Sequence, residues 1–377
     1  MRKASATRRD VREMQEEEVI PAVHDPEFRR EAMEAVARVA ASGRFVLGEE
    51  VEAFESELAE FCGVKHAVGM SSGTDALLAS LMALGIGPGD EVIVPNFSFA
   101  ATATCVSRVG AVPVFVGVRP MDFHVTGATV RDALSERTRA VVAAHLFGAC
   151  CDVESFVPLP PGVSLVEDAA QALGASLRGR KAGASGIAGC FSFFPTKNLG
   201  AWGDAGAIVT NDDGFAVVLR SLRCHGGLRP YEHERLGGNF RLDEIQAAVL
   251  RVGMRRLPAW NEARRRAADA YAKALSDVPY VVLPTQHDGS TWHQYVVRFR
   301  IGRATALARL LSSGIEARIY YPTPLHVQPC FGRVRHAVGT AEKSEALCRE
   351  SLALPIHPWI RYDEIGRTRD VLMEVMR

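Results

Sequence analysis

What the chain lacks removes several classes of function at once. Lysine plus arginine balances aspartate plus glutamate, 44 of each in 377 residues, so no net charge recommends nucleic acid or an anionic membrane as a partner. The eight cysteines, at 62, 105, 150, 151, 190, 224, 330 and 348, form no CxxC and no Cys/His ligand cluster. Several lie inside apolar runs, and together they read as reduced, buried thiols of a cytoplasmic protein with no metal site. The first residues pass from basic (Arg2, Lys3, Arg8, Arg9) to acidic (Glu16, Glu17, Glu18) without the apolar segment of a secretory signal. Val92 to Val118 carries one charge, Arg108, but Pro95, Asn96 and Pro113 cut it into strand, helix and strand, which does not suit a membrane span. A dinucleotide fingerprint is missing too: Gly85-Ile-Gly-Pro-Gly-Asp90 precedes a strand instead of following one, and its glycines are wrongly spaced for a nicotinamide-dependent dehydrogenase.

What is present is ample material for a core, 47% hydrophobic residues in a length that accommodates one large domain and a smaller one. Arg29 to Gly63 reads as amphipathic helix, interrupted at Ser42-Gly43 and Leu47-Gly48. Strands are expected at His66–Met70, Glu91–Pro95, Val112–Val118, Ala140–His145, Val163–Asp168, Gly189–Phe194 and Gly206–Thr210. Helices are expected at Ala76–Leu84, near Ser98–Val109 and near Ala128–Leu134, with another opening at Ala169-Ala-Gln171. This alternation predicts an α/β fold, a mainly parallel sheet flanked by helices, with ligands at the carboxyl ends of the strands. Leu242 to Ala274 is helix-like, its arginines forming a solvated face, and Tyr295–Phe299 with Ala304–Ser313 suggests a small C-terminal α+β domain. The expected division is a loose extension over 1–28, a large domain over 29–250 and a small domain with its linking helix over 251–377.

Three features could carry chemistry. The apolar strand before Phe194 delivers Lys197 into polar, glycine-bearing backbone, where a lysine either snorkels outward or serves as a reactive amine able to form a Schiff base. The strand Val163–Asp168 ends in Glu167 and Asp168. A strand-end acid is commonly a solvated residue or helix cap, and two adjacent strand residues point to opposite faces, which disfavours a glycosidase-type pair. Ser71-Ser-Gly-Thr-Asp75 turns a strand into a helix and aims free backbone N–H groups at an anion. Amine, acid and anion cradle are together the parts that pyridoxal phosphate needs.

The segments S-S-G-T-D-A-L (71–77), V-P-N-F-S-F-A-A-T-A (94–103), V-E-D-A-A-Q-A (166–172), F-S-F-F-P-T-K-N-L-G (191–200) and G-G-N-F-R-L-D-E-I-Q-A-A (237–248) occur in the order found in the DegT/StrS sugar aminotransferases. From about Phe45 to about Pro355 the chain resembles this fold type I, aspartate-aminotransferase-like family. The resemblance implies a Schiff base on Lys197, a pyridinium salt bridge from Asp168, Gln171 near the ring hydroxyl and Phe99 stacked on the ring. It also implies that Gly73, Thr74, Asp75 and Ser192 hold the phosphate, joined by Asn239 from the second subunit of a homodimer. Substrate-side segments W-H-Q-Y (292–295) and R-I-Y-Y-P-T-P-L-H (318–326) make His293, Tyr321 and His326 candidates for the sugar pocket, each set against a packing role. Gly117, Arg119, Leu173 and Ala205 depart from the family pattern without touching the cofactor positions.

The function so implied is transfer of an amino group from an amino acid, L-glutamate expected, to a nucleotide-diphosphate-linked keto-sugar, C3 favoured over C4, with pyridoxamine phosphate in the second half-reaction. Keto-inositols are the alternative acceptors, with glutamine as donor. A dehydratase of the same family is opposed by Lys197, since those members carry histidine there. A non-catalytic, sugar- or cofactor-sensing homologue is the reading from a different class.

Overall fold

The computed structural model describes residues 24–229, 231–285, 289–332 and 341–376. The expected loose extension therefore lies outside the described residues up to position 23. Helix α1 (Pro26–Ser42) takes the end of it, because Asp25 Oδ1 accepts the Phe28 N–H at 2.9 Å and Pro26 occupies the first helical position. Gly43 stops the helix in the left-handed region, φ 68°. Helix α2 (Glu49–Cys62) follows, and both helices pack on α7 (Glu244–Met254).

The large sheet has seven strands: β1 (His66–Met70), β2 (Glu91–Pro95), β3 (Val112–Val116), β4 (Thr138–Ala144), β5 (Ser164–Asp168), β8 (Ala188–Ser192) and β9 (Gly206–Thr210). Their order is β1-β9-β8-β5-β4-β2-β3, and β9 alone runs against the others. Period-two alternation splits each strand between two cores. Val92 and Val94 of β2 pack with α3 (Gly73–Ala83) and α4 (Ala101–Arg108), while Ile93 between them joins the opposite layer with Val114 and Val141. Helices α5 (Gly127–Ala133) and α6 (Asp213–Leu222) complete the covering.

Two expected helices are revised. Ala169-Ala-Gln171 is a sequence of turns leading through Gly174, φ 83°, into a short hairpin, β6 (Ser176–Leu177) and β7 (Arg180–Lys181). Leu242–Ala274 is not continuous: α7 ends at Met254 and α8 (Leu257–Ala274) begins afresh with Pro258 in its first turn, where proline's missing N–H costs nothing.

A second sheet, antiparallel and ordered β10 (Val281–Val282), β11 (Tyr295–Phe299), β12 (Ser351–Leu354), has its own core. That core takes Tyr271 of α8, Leu310 of α9 (Arg303–Ser312) and Leu372 of the C-terminal helix α11 (Tyr362–Met376). Helix α10 (Ala341–Glu350) leads into β12. Among the described residues no helix is long and apolar enough to cross a membrane, and no cluster of histidine, cysteine and carboxylate could hold a metal.

Candidate active site

The carboxyl end of β5 places two adjacent carboxylates on opposite faces of the sheet. Glu167, 1% exposed, accepts from His145 Nε2 at 2.7 Å and from the amides of Gly183 (3.0 Å), Ser185 and Gly186 (both 2.7 Å). His145 Nδ1 accepts the Cys151 N–H at 2.9 Å, which leaves Nε2 as the donor to Glu167. Gly186 is required in that loop, since a Cβ there would come within 2.4 Å of the Leu165 carbonyl oxygen. Burial works to raise the Glu167 carboxyl, but the His145 bond and the amide donors outweigh it and hold the group below its ordinary value.

Asp168, 8% exposed, is served less fully. Oδ2 accepts from the Thr102 hydroxyl at 2.7 Å, and Oδ1 receives only a long bond from the Ala170 amide, 3.3 Å. Thr102 is in turn bonded to Ser98 Oγ at 2.8 Å. Burial raises the Asp168 carboxyl above its ordinary value; the Thr102 bond, the Ala170 bond and the charge of Lys197 oppose this without overcoming it. A buried carboxylate in that condition is stabilised by a cation placed against it. Sequence reasoning missed Thr102 and Ser98. Their spacing of four, two hydroxyls one turn apart in an otherwise apolar helical start, was the available signal.

Lys197 lies in the turn after β8, its amide bonded to the Phe194 carbonyl at 2.8 Å. Its neighbour Asn198 is buried and donates to Asn261 Oδ1 and the Thr291 carbonyl, both at 2.8 Å, which anchors the turn between α8 and the segment entering β11. His293, 6% exposed, sits 3.2 Å from Asn198 Oδ1 through Nδ1. Burial and then the charges of Lys197 and Arg264 push its pKa well down, so it is neutral beside the lysine.

The start of α3 faces the same end of the sheet. Ser72 Oγ caps the helix by accepting the Asp75 amide at 3.0 Å, leaving the amides of Gly73 and Thr74 without helical acceptors. The Asp75 carboxylate accepts the Ser71 hydroxyl at 2.7 Å. A Cβ on Gly73 would come within 2.6 Å of Ser192 Cβ, so glycine is what lets the helix end approach β8.

Gln171 bridges two partners: Oε1 accepts the Phe147 amide at 2.7 Å and Nε2 donates to the Tyr321 hydroxyl at 3.2 Å. The Tyr321 ring packs among Phe97, Phe99 and Phe147, with Phe99 remaining 57% exposed. His326 is directed elsewhere. Its ring lies 6.4 Å from that of Phe115 and its Nε2 is 3.9 Å from Glu345 Oε1, against β3 and α10. Asn239 is exposed on the segment after α6, where the neighbouring Phe240 carbonyl accepts the Ser71 amide at 2.9 Å.

These residues fit pyridoxal phosphate. Lys197 could hold its aldehyde, Asp168 its ring nitrogen, and the Gly73 and Thr74 amides with Ser192 its phosphate.

The sequence pattern of the DegT/DnrJ/EryC1/StrS aminotransferase family matches residues 26–372, and the chain belongs to that family. It is 44% identical over 336 residues to the erythromycin biosynthesis sensory transduction protein EryC1 of Saccharopolyspora erythraea, covering 88% of this chain and 92% of that one. It is 42% identical over 354 residues to dTDP-3-amino-3,4,6-trideoxy-alpha-D-glucose transaminase of Streptomyces venezuelae, covering 92% and 93%. The crystal structure of S. venezuelae DesV with a ketimine intermediate superposes with a TM-score of 0.89 at 41% identity, over 92% of this chain and 95% of that one. The protein is a PLP-dependent aminotransferase.

Proposed function

We propose that the chain transfers an amino group from an amino acid, with L-glutamate as donor, to a keto-sugar linked to a nucleoside diphosphate, at C3. The observation that carries the reading is the meeting of Lys197 with the buried, under-bonded Asp168 at adjacent strand ends, opposite two open amides. The Streptomyces relative, named for a 3-amino sugar, supports the acceptor class and the position. Bound there, pyridoxal phosphate supplies an aldehyde for the amino group and an electron-poor ring that withdraws charge from the reacting carbon.

In this reading Asp168 stays ionised against the ring N–H, with Thr102 holding its Oδ2 in place. Lys197 would hold the cofactor's aldehyde through Nζ, and the same Nζ, when free, would serve as the base that holds or moves a proton at the reacting carbon. Gly73, Thr74 and Ser192 bind phosphate at the helix start, where the dipole favours an anion. Phe99 offers an exposed aromatic face to the ring, and Gln171, held by Phe147 and Tyr321, presents its amide near the ring hydroxyl. Tyr321 and His293 line the acceptor side.

A homodimer with Asn239 reaching the partner's phosphate site belongs to the same proposal. Support comes from the segment that bears Asn239, where Tyr231 is 97% and Leu236 89% exposed beside a groove lined by Leu78, Met82 and Leu222. The sensory name of the EryC1 relative favours a regulatory reading, which the complete set of Lys197, Asp168 and phosphate donors makes the weaker one.

The visible absorption of the protein with pyridoxal phosphate, before and after L-glutamate, tests this with Lys197→Ala alongside. The expected result is a lysine-dependent band lost on glutamate addition, and a fall in turnover of about 10⁴-fold in Lys197→Ala. A band indifferent to every amino acid would remove the transaminase reading.

A further inference from the structure

His293 is held from three sides. In the loop after β4, Gly148 lies so close that a Cβ on it would come within 2.6 Å of the His293 nitrogen and 2.7 Å of the Trp292 nitrogen. Its φ of 98° favours glycine as well, and its carbonyl accepts the Thr291 amide at 2.8 Å and the Ser290 hydroxyl at 3.0 Å. From α8, Arg264 Nη1 donates to the carbonyls of Trp292 (3.1 Å) and His293 (3.4 Å). The third hold is Asn198, the residue after Lys197, whose Oδ1 lies 3.2 Å from His293 Nδ1. Asn198, Asn261 and His293 are all buried.

The direction of that last bond is fixed by carbonyls, which can only accept. The Thr291 carbonyl takes a hydrogen from Asn198 Nδ2 at 2.8 Å, so the amide nitrogen lies on that side and Oδ1 faces the imidazole. The second Nδ2 hydrogen goes to Asn261 Oδ1, also at 2.8 Å, and Asn261 is oriented in turn by the Leu173 carbonyl, 3.2 Å from its own Nδ2. His293 Nδ1 is therefore the donor. Burial, with the charges of Lys197 and Arg264, pushes the imidazole's pKa well down, so the ring carries one proton and that proton is on Nδ1. Both Nδ2 hydrogens and Oδ1 of Asn198 are thus engaged, and its side chain is fixed against α8 and the segment entering β11. Lys197 shares that backbone. The backbone bonds of its turn are local ones, Lys197 N–H to the Phe194 carbonyl and Ala201 N–H to the Phe193 carbonyl, both 2.8 Å.

We propose that His293 is a positioning residue for Lys197: by donating its Nδ1 proton to Asn198 it locks the turn that presents the amine. This is a task beyond lining the acceptor side, and it rests on the reading that Lys197 is the reacting amine. A reacting group displaced by about 1 Å loses on the order of 10²-fold in rate, so a lock of this kind has a measurable effect.

Asparagine and glutamine separate the two ring nitrogens, because the amide of asparagine reaches the place of Nδ1 and that of glutamine the place of Nε2. His293→Asn keeps the bond to Asn198, and His293→Gln loses it. Amide hydrogen exchange over 194–201 is followed in the full-length, cofactor-free wild type and both variants. The donor half-reaction of the pyridoxal-phosphate-loaded proteins with L-glutamate is followed by stopped-flow absorbance. His293→Gln is expected to speed exchange at the Lys197 and Ala201 amides about tenfold or more, while amides of β5 stay within about twofold. Its limiting rate is expected to fall about 10²-fold, with the half-saturating glutamate concentration changed less than about threefold. His293→Asn is expected to restore the protection and at least about tenfold of the rate.

A His293→Gln protein with wild-type exchange overturns the proposal, as does one with faster exchange and an unchanged limiting rate. So does a His293→Asn protein no better than His293→Gln, which assigns the role to the ring's other nitrogen. Exchange that rises equally in β5 also overturns it, being general loosening. Should His293→Gln fail to fold, Asn198→Ala carries the same test, and unchanged exchange or an unchanged rate in it overturns the proposal. If local exchange follows the bond while no amino acid alters the cofactor's absorption, the hold on the turn stands and the transaminase reading falls.

Discussion

Glu167 and Asp168 are neighbours on one strand, and the two faces they serve are built on opposite principles. On one face a carboxylate collects four donors from a histidine and a loop, and its charge is fully compensated within the chain. On the other the carboxylate has one good bond and one long one, which burial outweighs, so its pKa is raised. The first is a structural joint that pins residues 183–186 to the sheet. The second is half of an interaction, of the kind expected where a ligand supplies the rest.

The largest separation of the two faces is expected from Glu167→Ala. Removing the acceptor leaves three backbone amides and the His145 N–H buried without partners, and stability should fall by about 3–5 kcal/mol in chemical denaturation. A loss under 1 kcal/mol would mean that water replaces the carboxylate and that the joint is not structural. Asp168→Asn should do the converse: little loss of folding stability without cofactor, but a fall of about 10²-fold or more in the donor half-reaction measured by stopped-flow absorbance. Near-normal rates would separate Asp168 from the ring nitrogen.

The opposite pKa directions sharpen the contrast without mutating the site. Glu167 is held below its ordinary value of 4.5, so its contribution is present above that pH and is lost as pH falls through the folded value. Asp168 is held above its ordinary value of 3.8, so its contribution is full below that pH and is lost as pH rises through the raised value. Melting curves of the cofactor-free protein should therefore lose the second component in Asp168→Asn and keep the first; identical pH profiles in wild type and variant would contradict the assignment. The smallest effect is expected from Thr102→Val, which removes one hydroxyl bond to the carboxylate. About 1–2 kcal/mol, roughly tenfold in the donor half-reaction, is anticipated with the fold intact. A rate unchanged from wild type would make Thr102 a packing residue.

Much of the frame was legible in the residues. Strands His66–Met70, Glu91–Pro95, Gly206–Thr210 and Tyr295–Phe299 coincide with their expected bounds because apolar runs of five, closed by glycine, proline or polar residues, leave little choice of ends. The helix expected after Asp168 failed because Gly174 and the hairpin beyond it compete for the same segment. The single helix expected through Leu242–Ala274 failed because Pro258 restarts it.

By itself the sequence determined what depends on neighbours along the chain: the strand periods, the polar turn that carries Lys197, the open helix start at Gly73, and the opposite facing of Glu167 and Asp168, which follows from the two-residue repeat of a strand. Only the tertiary structure decided which partners those groups meet. Thr102 reaches Asp168 across 66 positions, and Asn198 meets the Thr291 carbonyl across 93. Arg264 meets the Trp292 and Ile356 carbonyls across 28 and 92 positions, and His326 turns toward Phe115 and Glu345. Torsional preference and periodicity are local properties of the chain, whereas the pairing of a buried charge depends on strand order and on how two sheets pack, and those are set by the whole core at once.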